Sequence, residues 1–299
     1  MHSILRHGLT AAAAIGVTSA VASADLVISV SDANEPLWHI DVDTGTYTPL
    51  LEGFGAQAIA NDNASETLYF MTNTVTLYSW NYGNPSASPT LIGNTTSDQA
   101  TSPFVSITGL GWDGVDGRLV GSRTLDSSGL VEGLYELSTA DATVKSIAPF
   151  PGSTFDFGAF DIDAATGKAY GFSDGLTSGS SQGLYEIDLA TGVPTLLAAP
   201  PPGSIPTGAT RPDIDGLAVG DGVVYLVQDR AVQTGGSIFT YDLASGTYGS
   251  PLQVPWFFNE TFSGATWISD ASSNALLVPE PASATLLLAI GALGLRRRR

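Results

Sequence analysis

Carboxylates carry most of the chemistry this sequence could perform. Asp41/Asp43, Asp161/Asp163 and Asp213/Asp215 are each two residues apart, so on a strand both members project from one face. Acids placed this way can share a hard, oxygen-coordinated cation such as Ca²⁺. The first two pairs also lie where strands run into turns, and there the expected role is to cap turn amides. Asp213-Ile214-Asp215-Gly216 instead precedes a small apolar strand, and Asp156 holds a comparable place before Phe157-Gly158. Asp213, Asp215 and Asp156 are therefore the candidate calcium ligands. Paired carboxylates also serve glycoside hydrolysis, but only at a defined separation in space that sequence spacing does not supply.

Other chemistries have little to work with. After the first 24 residues the chain holds one histidine, His39, between Trp38 and Ile40, so a Ser-His-Asp triad would depend on that residue alone. A zinc site with two or three histidines cannot be assembled. The chain has no cysteine, which excludes disulfides, thiolate metal sites and cysteine nucleophiles. It has no P-loop, and no helix is expected in the body for a Gly-x-Ser-x-Gly elbow or a dinucleotide fingerprint to open. Trp256-Phe257-Phe258 lies between Pro255 and Asn259, where it would cover a sheet edge or offer a carbohydrate-stacking surface.

The elements that must position these residues repeat along the chain. Leu37-Trp38-His39-Ile40-Asp41, Leu77-Tyr78-Ser79-Trp80-Asn81, Leu134-Tyr135-Glu136-Leu137-Ser138, Leu184-Tyr185-Glu186-Ile187-Asp188 and Ile238-Phe239-Thr240-Tyr241-Asp242 begin 40, 57, 50 and 54 residues apart. Alternation within each segment is that of a strand with unequal faces. Three of them run into a common turn, Asp41 to Gly45, Asp188 to Gly192 and Asp242 to Gly246, in which Asp holds amides and Gly supplies a left-handed residue. Small inner strands lead to second strands ahead of them, as Ala58-Ile59-Ala60 leads to Leu68-Tyr69-Phe70 and Leu110-Gly111-Trp112 to Gly117-Arg118-Leu119. Ala265-Thr266-Trp267-Ile268 leads similarly to Ala275-Leu276-Leu277.

Four short antiparallel strands in each repeat of about 50 residues predict an all-β protein, a β-propeller of about five four-stranded blades. The 57-residue interval leaves room for a sixth blade, and a multi-stranded β-sandwich is the alternative. Leu26 to Val30 occupies a second-strand slot with no inner strand before it. Ala265 to Ser269 can fill that slot from the other end of the chain and close the ring.

Charge narrows the partners. Residues 25–278 hold six basic and 28 acidic residues, a formal charge near −22. Such a surface repels phosphate backbones, so nucleic acid is not an expected partner. With 43% hydrophobic and 13% charged residues overall, the composition is that of a folded protein.

The two ends of the chain concern its handling. Residues 1–24 combine Arg6 and His7, an apolar run from Leu9 to Val21 and the small-x-small site Ala22-Ser23-Ala24. This is the pattern of a secretory signal peptide cleaved after Ala24. Residues 279–299 begin with Pro279-Glu280-Pro281, continue as an apolar run to Leu295 and end in Arg296, Arg297, Arg298 and Arg299. The prolines break regular structure, and the arginines mark a cytoplasmic end. The run is short of the roughly 20 residues that span a bilayer, so a terminal core helix and a plain tail anchor are the alternatives. The tail resembles the PEP-CTERM sorting tail of bacterial exosortase substrates. That resemblance implies an exosortase-type processing partner, transient inner-membrane anchoring through the apolar helix and frequent association with extracellular polysaccharide.

Two functions follow as expectations. The first is an exported, non-enzymatic cell-surface or extracellular-matrix protein, with residues 25–278 as a propeller-like binding or structural module. The alternative is a carboxylate-based propeller enzyme acting on glycans.

Overall fold

Tight turns with an aspartate at the first position and a left-handed residue at the last set the architecture. The Gly45 amide donates to the Asp41 carbonyl at 2.8 Å, and Gly117–Asp113, Gly167–Asp163, Gly192–Asp188 and Gly246–Asp242 repeat that bond at 2.8 to 2.9 Å. All five glycines have φ between 66° and 70°, a region that costs a residue with a Cβ about 1–2 kcal/mol. The aspartate side chain completes each turn: Asp188 Oδ1, for example, accepts the amides of Ala190 and Thr191 at 2.9 Å. The same turn thus joins strands at two different places in the repeat, after the third strand and after the innermost one.

The computed structural model describes residues 25–30, 36–100, 102, 104–123, 130–152, 155–175, 182–205, 209–228, 237–253 and 262–269. Among them there is no helix, and the strands form five antiparallel sheets. The chain opens with β1 (Asp25–Val30), β2 (Leu37–Asp41) and β3 (Thr46–Leu51). Blade two is β4 (Ala58–Asp62), β5 (Thr67–Thr72), β6 (Thr76–Asn81) and β7 (Thr90–Asn94). Blade three is β8 (Gly109–Asp113), β9 (Arg118–Arg123), β10 (Gly133–Leu137) and β11 (Val144–Pro149). Blade four is β12 (Ala159–Asp163), β13 (Lys168–Ser173), β14 (Gly183–Ile187) and β15 (Pro194–Ala198). Blade five is β16 (Ile214–Gly220), β17 (Val223–Gln228) and β18 (Ser237–Asp242), whose outer edge pairs with both β19 (Thr247–Tyr248) and β20 (Leu252–Gln253).

Closure follows the expected exchange of termini. β21 (Phe262–Ile268) lies inside β1, with Leu26 opposite Trp267 and Ile28 opposite Ala265, and this gives the first blade the order β21-β1-β2-β3. The inner strands pack around the axis in the order β21, β4, β8, β12, β16 and back to β21, which is a five-bladed propeller and not a sandwich. β1 fills the slot beside β21 for which Ala275-Leu276-Leu277 is the sequence's own candidate; those three residues lie outside the described ones. So do residues 1–24, Trp256-Phe257-Phe258 and the tail 279–299.

The core consists of five seams between blades. Leu26, Ile28 and Ile40 of blade one meet Ala218, Tyr225 and Val227 of blade five. Val120 and Leu134 of blade three meet Phe160, Ile162 and Tyr185 of blade four. Each blade is therefore buried on both faces, and its inner strands read as nearly continuous small or apolar runs. Crowding at the axis selects glycine: a Cβ on Gly111 would lie 2.7 Å from the Ile162 backbone nitrogen. The recurring aromatics Tyr135, Tyr185, Phe239 and Tyr241 are all buried in these seams. Extra length in the 57-residue interval does not form a sixth described sheet. Val105 and Ile107 instead fill the seam between blades two and three, while Thr96 forms a parallel bridge to Thr143 beside β11.

One capping role differs from expectation. Asp41 and Asp163 cap turns, with Asp41 Oδ1 accepting the Asp43 and Thr44 amides at 3.0 Å and Asp163 Oδ1 the Ala165 amide at 3.1 Å. Asp161 does not. Its side chain is buried and its Oδ2 accepts the Val219 amide of blade five at 3.0 Å, so it ties two inner strands together. The reason is position: Asp161 lies two residues before the turn, on a strand whose faces both meet neighbouring blades.

Candidate functional site

The two ends of the propeller are chemically different. At one end lie the tight turns just described. At the other, which we call the mouth, second strands end and inner strands begin, and the longer connections are found. Asp156 precedes β12, Asp174 follows β13, and Asp213 precedes β16, so topology brings all three to the mouth. Asp215 is the second residue of β16, where its Oδ1 lies beside Gly158 at the head of blade four. The mouth thus gathers the three expected residues and adds Asp174, together with Glu132 just before β10.

Hydrogen bonds fix this arrangement across a seam. Asp174 Oδ1 accepts the amide of Ile214 at 3.3 Å, linking the end of blade four's second strand to the start of blade five. The Asp156 amide donates to Ser173 Oγ at 3.5 Å. Ser122 Oγ donates to the Phe157 carbonyl at 2.6 Å, and Gln228 Nε2 donates to the Ser204 and Pro212 carbonyls at 2.8 and 3.1 Å. Arg123 Nη1 donates to the Leu130 and Val131 carbonyls at 2.7 and 3.0 Å. Asp213 has a left-handed backbone, φ 58°, unusual for a residue with a side chain.

Burial and like charge shift the acids. Asp174 is pushed up to about 8, chiefly by burial and then by Asp215, with Asp213 and Asp156 adding to it against the Ile214 amide. Asp156 is pushed up to about 6 by burial and by Glu132, with Arg211 opposing. A carboxyl that keeps its proton near neutral pH can donate a proton or a hydrogen bond. The turn aspartates behave oppositely: the Thr191 amide holds Asp188, and the Ser245 amide Asp242, below the ordinary carboxylate range.

Two other readings can be placed. Among the described residues no three His, Asp or Glu side chains form a group able to hold a metal ion; Asp213, Asp215 and Asp156 share the mouth. His39 is not at the mouth. It is buried in blade one with Nε2 3.4 Å from Asp25 Oδ1. At the mouth end of the axis the space between the inner strands, bounded by Ala58, Gly109, Gly158, Asp215 and Gly264 among others, has no room for a water molecule.

Comparison with known proteins adds the following. Residues 277–299 match the PEP-CTERM protein-sorting motif. No curated protein matches the sequence. Similar solved structures include a structural-genomics protein of unknown function from Bacteroides thetaiotaomicron VPI-5482, at 16% identity and TM-score 0.49, over 82% of this chain and 64% of that one. TolB from Acinetobacter baumannii is similar at 13% identity and TM-score 0.46, over 80% and 53% of the two chains. Apo AztD from Citrobacter koseri is similar at 16% identity and TM-score 0.36, over 83% and 62%. The chain spans between about half and two thirds of the length of these three. It is a five-bladed β-propeller that carries a PEP-CTERM protein-sorting motif at residues 277–299, and the motif implies export to the cell envelope and processing there by an exosortase.

Proposed function

We propose that the mature protein is a non-enzymatic surface or matrix component, held for a time in the inner membrane by its tail and associated with extracellular polysaccharide once processed. The sorting motif at 277–299 is the observation that carries this reading, and a closed five-bladed ring suits a display scaffold. The test follows the tail in the native host. Mass spectrometry of membrane, surface and secreted fractions should find the extracellular form without its terminal arginines, and Glu280→Ala should trap the intact chain in the membrane fraction. An intact Arg299 on the extracellular form would reject processing. Retention of the protein by matrix polysaccharide, lost after polysaccharide digestion, tests the association.

The raised acids at the mouth favour a second reading, a carboxylate-based enzyme acting on glycans. Asp174 and Asp156, both pushed up, share the mouth with Asp215 and Asp213, which offers the proton donor and second carboxyl group that glycoside hydrolysis requires. Turnover of a polysaccharide panel that disappears in Asp174→Asn and Asp215→Asn would replace the first reading with this one.

A further inference from the structure

The propeller releases its tail at the centre of the tight-turn end. β21 is the innermost strand of blade one, and Ile268, its last residue, lies opposite Asp25, the first residue of β1. Asp25 is also opposite Asp41, which opens the β2–β3 turn. Asn63, in the β4–β5 turn, accepts the Ser269 amide at 2.8 Å, while Asn61 donates to the Trp267 carbonyl at 3.0 Å. The exit is thus pinned among turns, at the opposite end from Asp156, Asp174 and Asp213.

Residues 270–281 separate this exit from the apolar run of the tail; twelve residues reach at most about 43 Å when fully extended, and a flexible chain of that length spans roughly 17–21 Å on average. To bring the mouth toward a bilayer, the chain would have to cross the radius of the ring and then its height. Four strands at about 4.8 Å spacing give roughly 15–19 Å of radius, and five- to six-residue strands give a further ~17–20 Å of height before any loop is counted. That path, roughly 32–39 Å before loops, needs the tether pulled almost straight, about twice the average span of a flexible chain, whereas the tight-turn end reaches the bilayer with slack. The tight-turn end carries exposed Asp43, Asp116 and Asp188, which anionic lipid repels, so this end faces the bilayer without embedding in it.

We infer that, while the tail is in the membrane, the propeller hangs with its tight-turn end toward the bilayer and presents the carboxylate mouth outward, as the face open to soluble or matrix partners. This rests on the tail-anchored state proposed above, and the test separates the two. The chain has no cysteine, so single cysteines report position cleanly. Ala64→Cys lies at an exposed tight turn and Val131→Cys at an exposed site of the mouth; Thr191→Cys and Ala209→Cys form a second pair on other blades. Protein retaining its tail, from a host without exosortase, is labelled with an environment-sensitive fluorophore and bound to phosphatidylethanolamine–phosphatidylglycerol vesicles bearing headgroup nitroxides. Quenching at least threefold stronger at 64 and 191 than at 131 and 209 is expected, and it should vanish on truncation after Val278. Equal or reversed quenching would overturn the orientation with anchoring intact. Quenching that survives truncation would show the body docking by itself and overturn the tether argument. Failure of the tailed protein to bind vesicles at all would refute the anchored state, and the orientation with it.

Discussion

Asp174→Asn should make the propeller more stable at pH 8 while leaving it almost unchanged at pH 4. In the folded protein Asp174 is pushed up to about 8, whereas in the unfolded chain it ionises near 4. A folded-state pKa above the unfolded one gives stability that is fully present below about pH 4 and is lost as pH rises toward 8, because only the folded chain still holds the proton. One retained proton changes stability by about 1.4 kcal/mol per pH unit, so between pH 5 and 8 Asp174 alone accounts for at most roughly 4 kcal/mol. Relaxation and screening at the mouth bring that nearer ~2 kcal/mol. Asp156, pushed up to about 6, steepens the loss between about pH 4 and 6. Asparagine keeps an oxygen for the Ile214 amide and has no charge to bury, so it should flatten the wild-type decline. Urea unfolding at pH 5, 6, 7 and 8 measures both slopes. A ~2 kcal/mol gain for the variant at pH 8 corresponds to roughly 4–8 °C in Tm for a domain of this size. A wild-type stability that is flat or rising from pH 5 to 8, or a variant that keeps the wild-type slope, would refute the reasoning.

Three further outcomes follow from the backbone and the ring. Thr74, a β-branched residue with φ 60° in the β5–β6 turn beside Asn73 at φ 49°, should gain about 1 kcal/mol on replacement by glycine, read as a higher Tm; a drop would show that its 3.3 Å hydrogen bond to Ser106 outweighs the strain. Gly111→Ala should cost about 2–3 kcal/mol because its Cβ meets the Ile162 backbone, whereas Gly158→Ala, whose nearest new neighbour is 3.7 Å away, should change urea stability by less than about 1 kcal/mol. Truncation after Asn259 removes β21 with buried Phe262, Ala265 and Ile268, a loss on the order of the whole stability of the domain. That product should aggregate in size-exclusion chromatography while truncation after Val278 stays monodisperse; a soluble, cooperatively melting chain ending at Asn259 would contradict closure by β21.

What could be read from the sequence was what a strand or turn specifies over a few residues. The Leu-Tyr strands, the Asp-to-Gly turns and the unfilled slot beside Leu26–Val30 are local patterns, and together they determine blades, order and closure. Asp161 departs from turn capping because its partner, Val219, is 58 residues away on another blade. Asp174 is not legible for the same reason: Ile214 is 40 residues distant, and no periodicity marks the residue. Its one available signal was Ser173-Asp174-Gly175 at the end of a second strand, which places it at the same end of the ring as Asp156. Asp156 and Asp213 stand just before inner strands and Asp215 is the second residue of one, so their place at the mouth is one the repeat does reveal.

The same residue type plays opposite parts at the two ends of this ring, and solvent access is what separates them. Asp188 and Asp242 stand in water with turn amides on their oxygens, so they stay ionised to low pH and fix backbone geometry. Asp174 and Asp156 are turned into a seam among other acids, so ionisation works against folding there. A formal charge near −22 therefore overstates the field at the mouth at neutral pH, where Asp174 keeps its proton, and describes the turn end more faithfully. A partner that brings positive charge to the mouth would discharge that proton and regain stability the fold gives up at high pH. Binding at the mouth should accordingly release protons and tighten as pH rises, whereas binding at the turn end should do neither. This asymmetry distinguishes the two faces for any partner, whatever its chemistry.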